Sequence, residues 1–336
     1  MSGMSEIGRL PEGLARPESN IVKNTVEQGT ERMNPSVLAD LEGREGKMKP
    51  SVLADLEGRD VEPKQSIGQV LFEKATDILL HSLEKRVGEI PEGLDDIYLP
   101  NTTVKIDGIL CETDDTGKIF KIDGEVVQDS DYERNGIQYL SDKNGNVLAW
   151  KGKPSYNPEN ERDSGAQINA GGMDRLKGDD GSHAVARIMN GSSGRENLIP
   201  MRDTLNRGDW KQGENTIVEA LRHGEKVEDS GIVFREGDNT RPTKVAREFT
   251  HGNMREILVV DNVNGSHELL HDLKESVRYE DYKSIVNEIK QWEAGGSTIS
   301  VTSVLKRCDL EGNLESVQVG IRDETTGAKY YKEFKL

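Results

Sequence analysis

Residues 179–221 read DDGSHAVARIMNGSSGRENLIPMRDTLNRGDWKQGENTIVEAL, and the order of the pieces in this stretch decides the fold. Gly181-Ser182-His183 heads an apolar run from Ala184 to Met189. Asn190-Gly191-Ser192-Ser193-Gly194 then carries turn chemistry and returns the chain into Asn197-Leu198-Ile199-Pro200, which predicts a hairpin or Ω-like excursion. From Leu205 the pattern changes period. Trp210, Ile217, Val218 and Leu221 recur at helical spacing, with Asp209 in the electropositive first turn. Asn206, Trp210 and Glu214 follow one another by four and so advance slowly around one side of that helix. A strand-borne histidine is therefore expected to face a helix-borne amide and carboxylate.

Those residue types suit the cleavage of a phosphodiester. The attacking water must lose a proton, and the leaving oxygen needs its developing charge neutralised, so the site requires a base and a cation. His183 is the candidate base, because imidazole titrates near neutrality. Asn197, Asn206 and Glu214 offer hard oxygen ligands with no cysteine nearby, a set that favours an Mg²⁺-type ion over a thiolate zinc site.

At these residues the chain resembles the DNA/RNA non-specific endonuclease family of ββα-metal (His-Me finger) nucleases, in the branch found in bacterial polymorphic toxins. The blocks are D-[DR]-G-x-H at Asp179 to His183, N-[LI]-x-P at Asn197 to Pro200, and L-N-x-G-x-W-x-x-x-E at Leu205 to Glu214. Weaker matches lie upstream at Glu112 to Ile119 and downstream at Ala220-Leu221 and Arg241-Pro242. The resemblance implies His183 as general base, Asn206 as the side chain touching Mg²⁺ (or Mn²⁺), and Glu214 as a holder of water in the metal's shell. It implies that Asn197 buttresses the centre. It further implies a DNA or RNA substrate and, for many such domains, a secreted toxin neutralised by an immunity protein. Three positions depart from the pattern. Ser182 stands where the branch usually has Gly, Gly213 sits inside the helix where a larger apolar residue is usual, and Val218 replaces an arginine that some members carry. Another cation must then meet transition-state charge, and Arg187, Arg207 and Arg222 are the candidates in that order.

Each residue also has a plainer reading. A second Gly-Ser-His at 265–267 lacks the Asn and Glu context and is structural. Asn197 alone is a turn residue, Asn206 a helix cap and Glu214 a solvated helix carboxylate. Trp210 is core packing, Asp179 and Asp180 are turn-forming carboxylates, and Asp114-Asp115 is a hairpin turn that needs no metal. It is the joint order and spacing that favour chemistry.

The remaining chain frames this block. With 336 residues, 33% hydrophobic content and 35 glycines, it is polar, loop-rich and long enough for two or three modest domains. The net charge of −17 argues against nonspecific adhesion to nucleic acid as the whole function. Arg175, Lys177, Arg187, Arg195, Arg202, Arg207 and Lys211 nevertheless concentrate around the catalytic stretch. Cys111 and Cys308, too few for a disulfide framework, are expected as thiols. Neither a signal peptide nor an apolar run of membrane-spanning length is evident, so no membrane insertion is expected, and the location is cytoplasmic or reached by a non-Sec export route.

Residues 1–64 read as a polar, largely disordered leader in which PSVLADLEGR occurs twice, at 35–44 and 50–59. An amphipathic helix from Gln65 to Val87 and a linker fill 65–98. An antiparallel β-meander from Thr102 to Trp150, broken by Asp-Gly, Asn-Gly and Thr-Gly turns, opens a nuclease domain over 99–262, with a mobile crossing at Lys151 to Gly172. Residues 263–336 form a small α+β add-on, with helices at His267–Val277 and Tyr279–Trp292 and three strands after them. The expected class is α+β with a ββα-metal core. Two alternatives stay open: a catalytically inactive nuclease-fold binding module, or an adaptor of a secretion or mobile-element system.

Overall fold

The computed structural model describes residues 98–106, 108–161 and 163–336. The expected leader and the helix at Gln65–Val87 lie outside these residues. The class is α+β, with mostly antiparallel sheets and few helices. Strands β1 (Thr103–Ile106), β2 (Ile109–Thr113), β3 (Ile119–Ile122) and β4 (Glu125–Val126) make a four-stranded antiparallel sheet. The meander continues into β5 (Asp131–Arg134), β6 (Ile137–Ser141) and β7 (Val147–Gly152) of a second sheet. Helix α1 (Ser164–Asn169) lies inside the segment expected as a crossing, with Asp163 accepting from the Ala166 N–H as its N-cap.

After the two-stranded hairpin of β8 (Asp179–His183) and β9 (Leu198–Arg202) comes helix α2 (Lys211–Arg222). Strands β10 (Glu228–Phe234), β11 (Lys244–His251) and β12 (Met254–Asp261) follow, then helices α3 (Leu269–Ser276) and α4 (Tyr279–Ala294). Strands β13 (Ile299–Asp309), β14 (Leu314–Asp323) and β15 (Lys329–Lys335) end the chain. These are not a separate sheet. The second sheet has nine strands in the order β15-β14-β13-β12-β11-β10-β7-β6-β5, all neighbours antiparallel, and it runs across residue 262 without a break.

One chemical device recurs in the loops of both sheets. Asp114, Asp142 and Asp323 each accept from the backbone N–H two residues on, at 2.9 Å, and a glycine with positive φ (Gly117, Gly145, Gly327) completes each turn. The Asp114 pair is thus a hairpin turn, as its sequence suggested. Asn135-Gly136 and Asp123-Gly124 close tighter turns with both residues at positive φ.

Period-two alternation loads both faces of the large sheet. On β12, Leu258 and Val260 join a core with Trp210, Ile217, Val218 and Phe249, while Ile257 and Val259 join an aliphatic core with Leu273, Ile285 and Ile289. The hairpin and α2 therefore share one face, and α3 and α4 cover the other. Cys111 and Cys308 are buried and form no disulfide.

Candidate functional site

The site grows from β8 and the turn that leads into α2. Glycine at 181 lets the backbone of α1 rest on β8, since a Cβ there would come within 2.4 Å of the Gln167 carbonyl oxygen. On the other side of the hairpin, Asn197 is fully buried. It accepts from the Val185 N–H at 2.9 Å and donates to the Val185 and Ser192 carbonyls at 2.8 and 2.7 Å. Its amide is fully engaged in closing the 185–197 excursion, so Asn197 positions β8 and β9 and presents nothing to a ligand.

The chain enters α2 through an element that the spacing alone did not predict. Asp203–Leu205 makes one helical turn, Asn206–Trp210 is a π-helical turn, and regular α-helix begins only at Lys211. Such widened turns are uncommon and concentrate at functional sites. Asn206 donates through Nδ2 to Asp180 Oδ2 at 2.9 Å, and Arg207 grips the same carboxylate with Nε and Nη2, both at 2.9 Å. Because a carboxylate only accepts, the Asn206 amide is oriented with Nδ2 toward Asp180 and Oδ1 away from it. The Asp180 carboxyl, which burial alone would raise, is held below its ordinary value by hydrogen bonds from Arg207 and Asn206 and by the Arg207 and Arg175 charges.

Trp210 is buried and donates its indole N–H to the His183 carbonyl at 3.1 Å, packing edge-on to Trp150 with ring centroids 6.2 Å apart. The π-helical turn is thus tied to β8 twice, at Asp180 and at His183. Beneath it, Arg247 lies 5.2 Å from the Trp210 ring and makes a doubly bonded pair with Asp229, at 2.7 and 2.8 Å. Both partners are fully buried, and Trp150 donates to the same Asp229 carboxylate at 3.1 Å.

Several expectations need revising. Asp179 and Asp180 are not turn residues. Both belong to β8, and Asp179 pairs with Arg241 at 2.7 and 3.1 Å as Asp180 does with Arg207. Glu214 is buried rather than solvated, with Lys211 Nζ 2.9 Å from its Oε2. Arg187, ranked first among the candidate cations, donates to the Pro158 and Asn160 carbonyls and anchors a loop. Arg207 is the better placed: its side chain is 70% exposed, yet Asp180 fixes its direction. Arg222 stacks on Tyr156, 5.3 Å from that ring. Gly213 has a packing reason, since a Cβ there would sit 3.1 Å from Leu258 Cδ2, so glycine lets α2 lie close on β12. Ser182 is buried and Val218 belongs to the core.

The donor set suits a hydrated divalent cation. Among the described residues no group of three or more His, Cys, Asp or Glu side chains forms a metal cage. Among the motif residues, the Asn206 amide oxygen, turned away from Asp180, and the Glu214 carboxylate are the hard oxygens. An ion that keeps most of its own waters needs few more.

Two parts of this site carried no local sequence signal: Asp180 as the shared partner of Asn206 and Arg207, and the Asp229–Arg247 pair. The second joins residues on two adjacent strands, and only the register Gly231↔Arg247 places them together.

Comparison with known proteins points the same way. A family model described as DNA/RNA non-specific endonuclease matches residues 127–253, a span that contains His183, Asn197, Asn206 and Glu214 and stops before β12. The type VII secretion system protein EssD from Staphylococcus aureus strains USA300 and NCTC 8325 / PS 47 is 36% identical over 109 residues. The same protein of strain Newman matches equally. The match covers 30% of this chain but only 18% of the relatives' length. No helix among the described residues is long and apolar enough to cross a membrane. Residues 127–253 of this chain are a domain of the DNA/RNA non-specific endonuclease family.

Proposed function

We propose that the chain hydrolyses phosphodiester bonds of DNA, RNA or both with little sequence preference, using a divalent cation, Mg²⁺ or Mn²⁺. The observation that carries this reading is the Asp180 clamp. It orients the Asn206 amide and the Arg207 guanidinium beside a strand that ends in His183.

His183 takes the proton from the attacking water. Asn206 through Oδ1 and Glu214, directly or through water, would hold the cation, which when bound neutralises charge developing on the leaving oxygen. Arg207 meets the phosphate as a preoriented, permanently charged fork. Asn197 and Trp210 act by positioning, and Arg187 by holding the 157–160 loop. The nuclease unit spans 99–262, and the region at 263–336 continues its large sheet.

Supercoiled plasmid and total RNA, each incubated with Mg²⁺ and with EDTA, test the reading. Cleavage is expected only with the cation, and His183→Ala is expected to lose about 10²–10⁴-fold in rate. Cleavage that ignores EDTA, or that survives His183→Ala, refutes it. A folded protein that binds nucleic acid without cutting it would instead be an inert binding module.

The likeness to a type VII secretion system protein supports release by a non-Sec route; neutralisation by an immunity protein in the producing cell is the further proposal that the family resemblance carries. Secretion that persists after the type VII machinery is deleted rules out the first. Harmless expression of the active chain with no protecting partner rules out the second.

A further inference from the structure

The last strand reaches the π-helical turn. Asp209, buried within that turn, accepts a hydrogen bond from Tyr331 Oη at 2.8 Å and lies 2.9 Å from Lys329 Nζ, across 122 positions of sequence from the tyrosine. Two glycines shape the contact. A Cβ at Gly208 would stand 2.5 Å from Lys329 Nζ, and one at Gly320, the β14 partner of Tyr331, would stand 3.3 Å from Asp209 Oδ1. Burial, the Asp209 charge and the hydrogen bond to Asp209 all raise the Tyr331 phenol, so it stays protonated and donates. The turn is thereby held from three sides: Asp180 takes residues 206 and 207, the β15 side chains take 209, and the His183 carbonyl takes 210.

We propose that Lys329 and Tyr331 are positioning residues of the nuclease site, and that the C-terminal strand, outside residues 127–253, belongs to the functional unit because it fixes the turn that presents Asn206 and Arg207. The reasoning is geometric. A π-helical turn has regular α-helix as its alternative. Passing to that alternative would rotate Asn206 and Arg207 relative to Trp210 and separate them from Asp180. Lys329 and Tyr331 hold the widened form by gripping the residue between the two groups that β8 holds. This inference rests on the proposed nuclease reading for its catalytic part only.

The test uses the full chain with Lys329→Met, Tyr331→Phe, Lys329→Arg and, as a control on the same strand, Lys335→Met. Plasmid cleavage and hydrogen exchange at 206–210 are both read. Lys329→Met and Tyr331→Phe are expected to lower kcat by about 10- to 100-fold, the scale of an ångström-sized misplacement. KM should change less than about twofold, because the phosphate-facing groups remain present. Exchange at 206–210 should speed up while β12 to β14 stay protected, Lys329→Arg should recover most of the rate, and Lys335→Met should match wild type. If the wild type cuts and both variants keep its kcat and its exchange at 206–210, the proposal is overturned. It is equally overturned if exchange rises across the whole sheet, which would make the contact a general stabiliser. If the wild type cuts nothing with any cation, the nuclease reading fails, and exchange at 206–210 still decides whether β15 fixes the turn.

Discussion

The two faces of the nine-stranded sheet are built on different principles. Under α3 and α4 the face is mainly aliphatic, with Ile257, Val259, Val301, Val304, Val317 and Ile321 meeting Leu273, Ile285 and Ile289, and it buries charge where Glu248 and Lys306 flank Ile257. Under the hairpin and α2 the sheet encloses paired charge at the site itself, with Arg247 and Asp229 fully buried beside two indoles, and Asp209 held by Lys329. A buried ion pair is a poor way to gain stability, because desolvation consumes most of the attraction. An oily face only has to exclude water, whereas the charged face also has to fix directions. The second requirement explains why polar groups were placed where apolar ones would pack.

The contrast is breakable by mutation, and the largest effects come from its charged half. Arg247→Leu strands the Asp229 carboxylate in the interior and is expected to cost about 3–5 kcal/mol of unfolding free energy, read by urea denaturation. A cost under about 1 kcal/mol would mean that the pair is solvated and that the two faces do not differ as described.

On the aliphatic half, Ile285→Ala is expected to cost about 2–4 kcal/mol through lost burial and an unfilled cavity. Its cleavage rate per folded molecule should match wild type. A fall in that rate at full folding would show that the oily face also tunes the site.

Asp180→Asn divides the two roles more finely. It removes the charge that orients Arg207 and frees the Asn206 amide to turn over, so the Mg²⁺ concentration for half-maximal rate should rise about tenfold with little loss of stability. An unchanged Mg²⁺ dependence would show that Asp180 only ties the turn to β8.

The smallest effect is that substitution's pH dependence. Asp180 is ionised more readily in the folded protein than in the unfolded chain. Its contribution is therefore fully present above the unfolded value near pH 4 and is lost as pH falls through the lower folded value. For a partly exposed pair this amounts to less than about 1 kcal/mol. Acid unfolding curves of wild type and Asp180→Asn should converge as pH falls through the lowered folded value; a gap that widens with acid contradicts the assignment.

Much of this architecture is legible in the residues alone. Period-two alternation and Asp or Asn before Gly locate the strands and hairpins, and helical spacing locates α2 and α4, because these signals act over a few residues. The motif residues His183, Asn206 and Glu214 can be singled out for the same reason. What escapes such reading is non-local. Nothing near Asp209 announces Lys329 and Tyr331, and nothing near residue 262 announces that β13 pairs with β12. Arg187 and Arg207 look alike as letters, and only the loop carbonyls around one and the carboxylate facing the other tell them apart. The π-helical turn leaves as its trace a glycine at 208, a residue that equally suits a helix start.

The central claim is that the amide of Asn206 is where a divalent cation and the chemistry meet. The most direct measurement is cleavage rate against Mg²⁺ concentration for wild type and Asn206→Ala, at equal folded fraction. Saturable activation in the wild type, and its loss in Asn206→Ala with unchanged unfolding, is the predicted result. An Asn206→Ala protein that keeps the wild-type Mg²⁺ response would contradict the account.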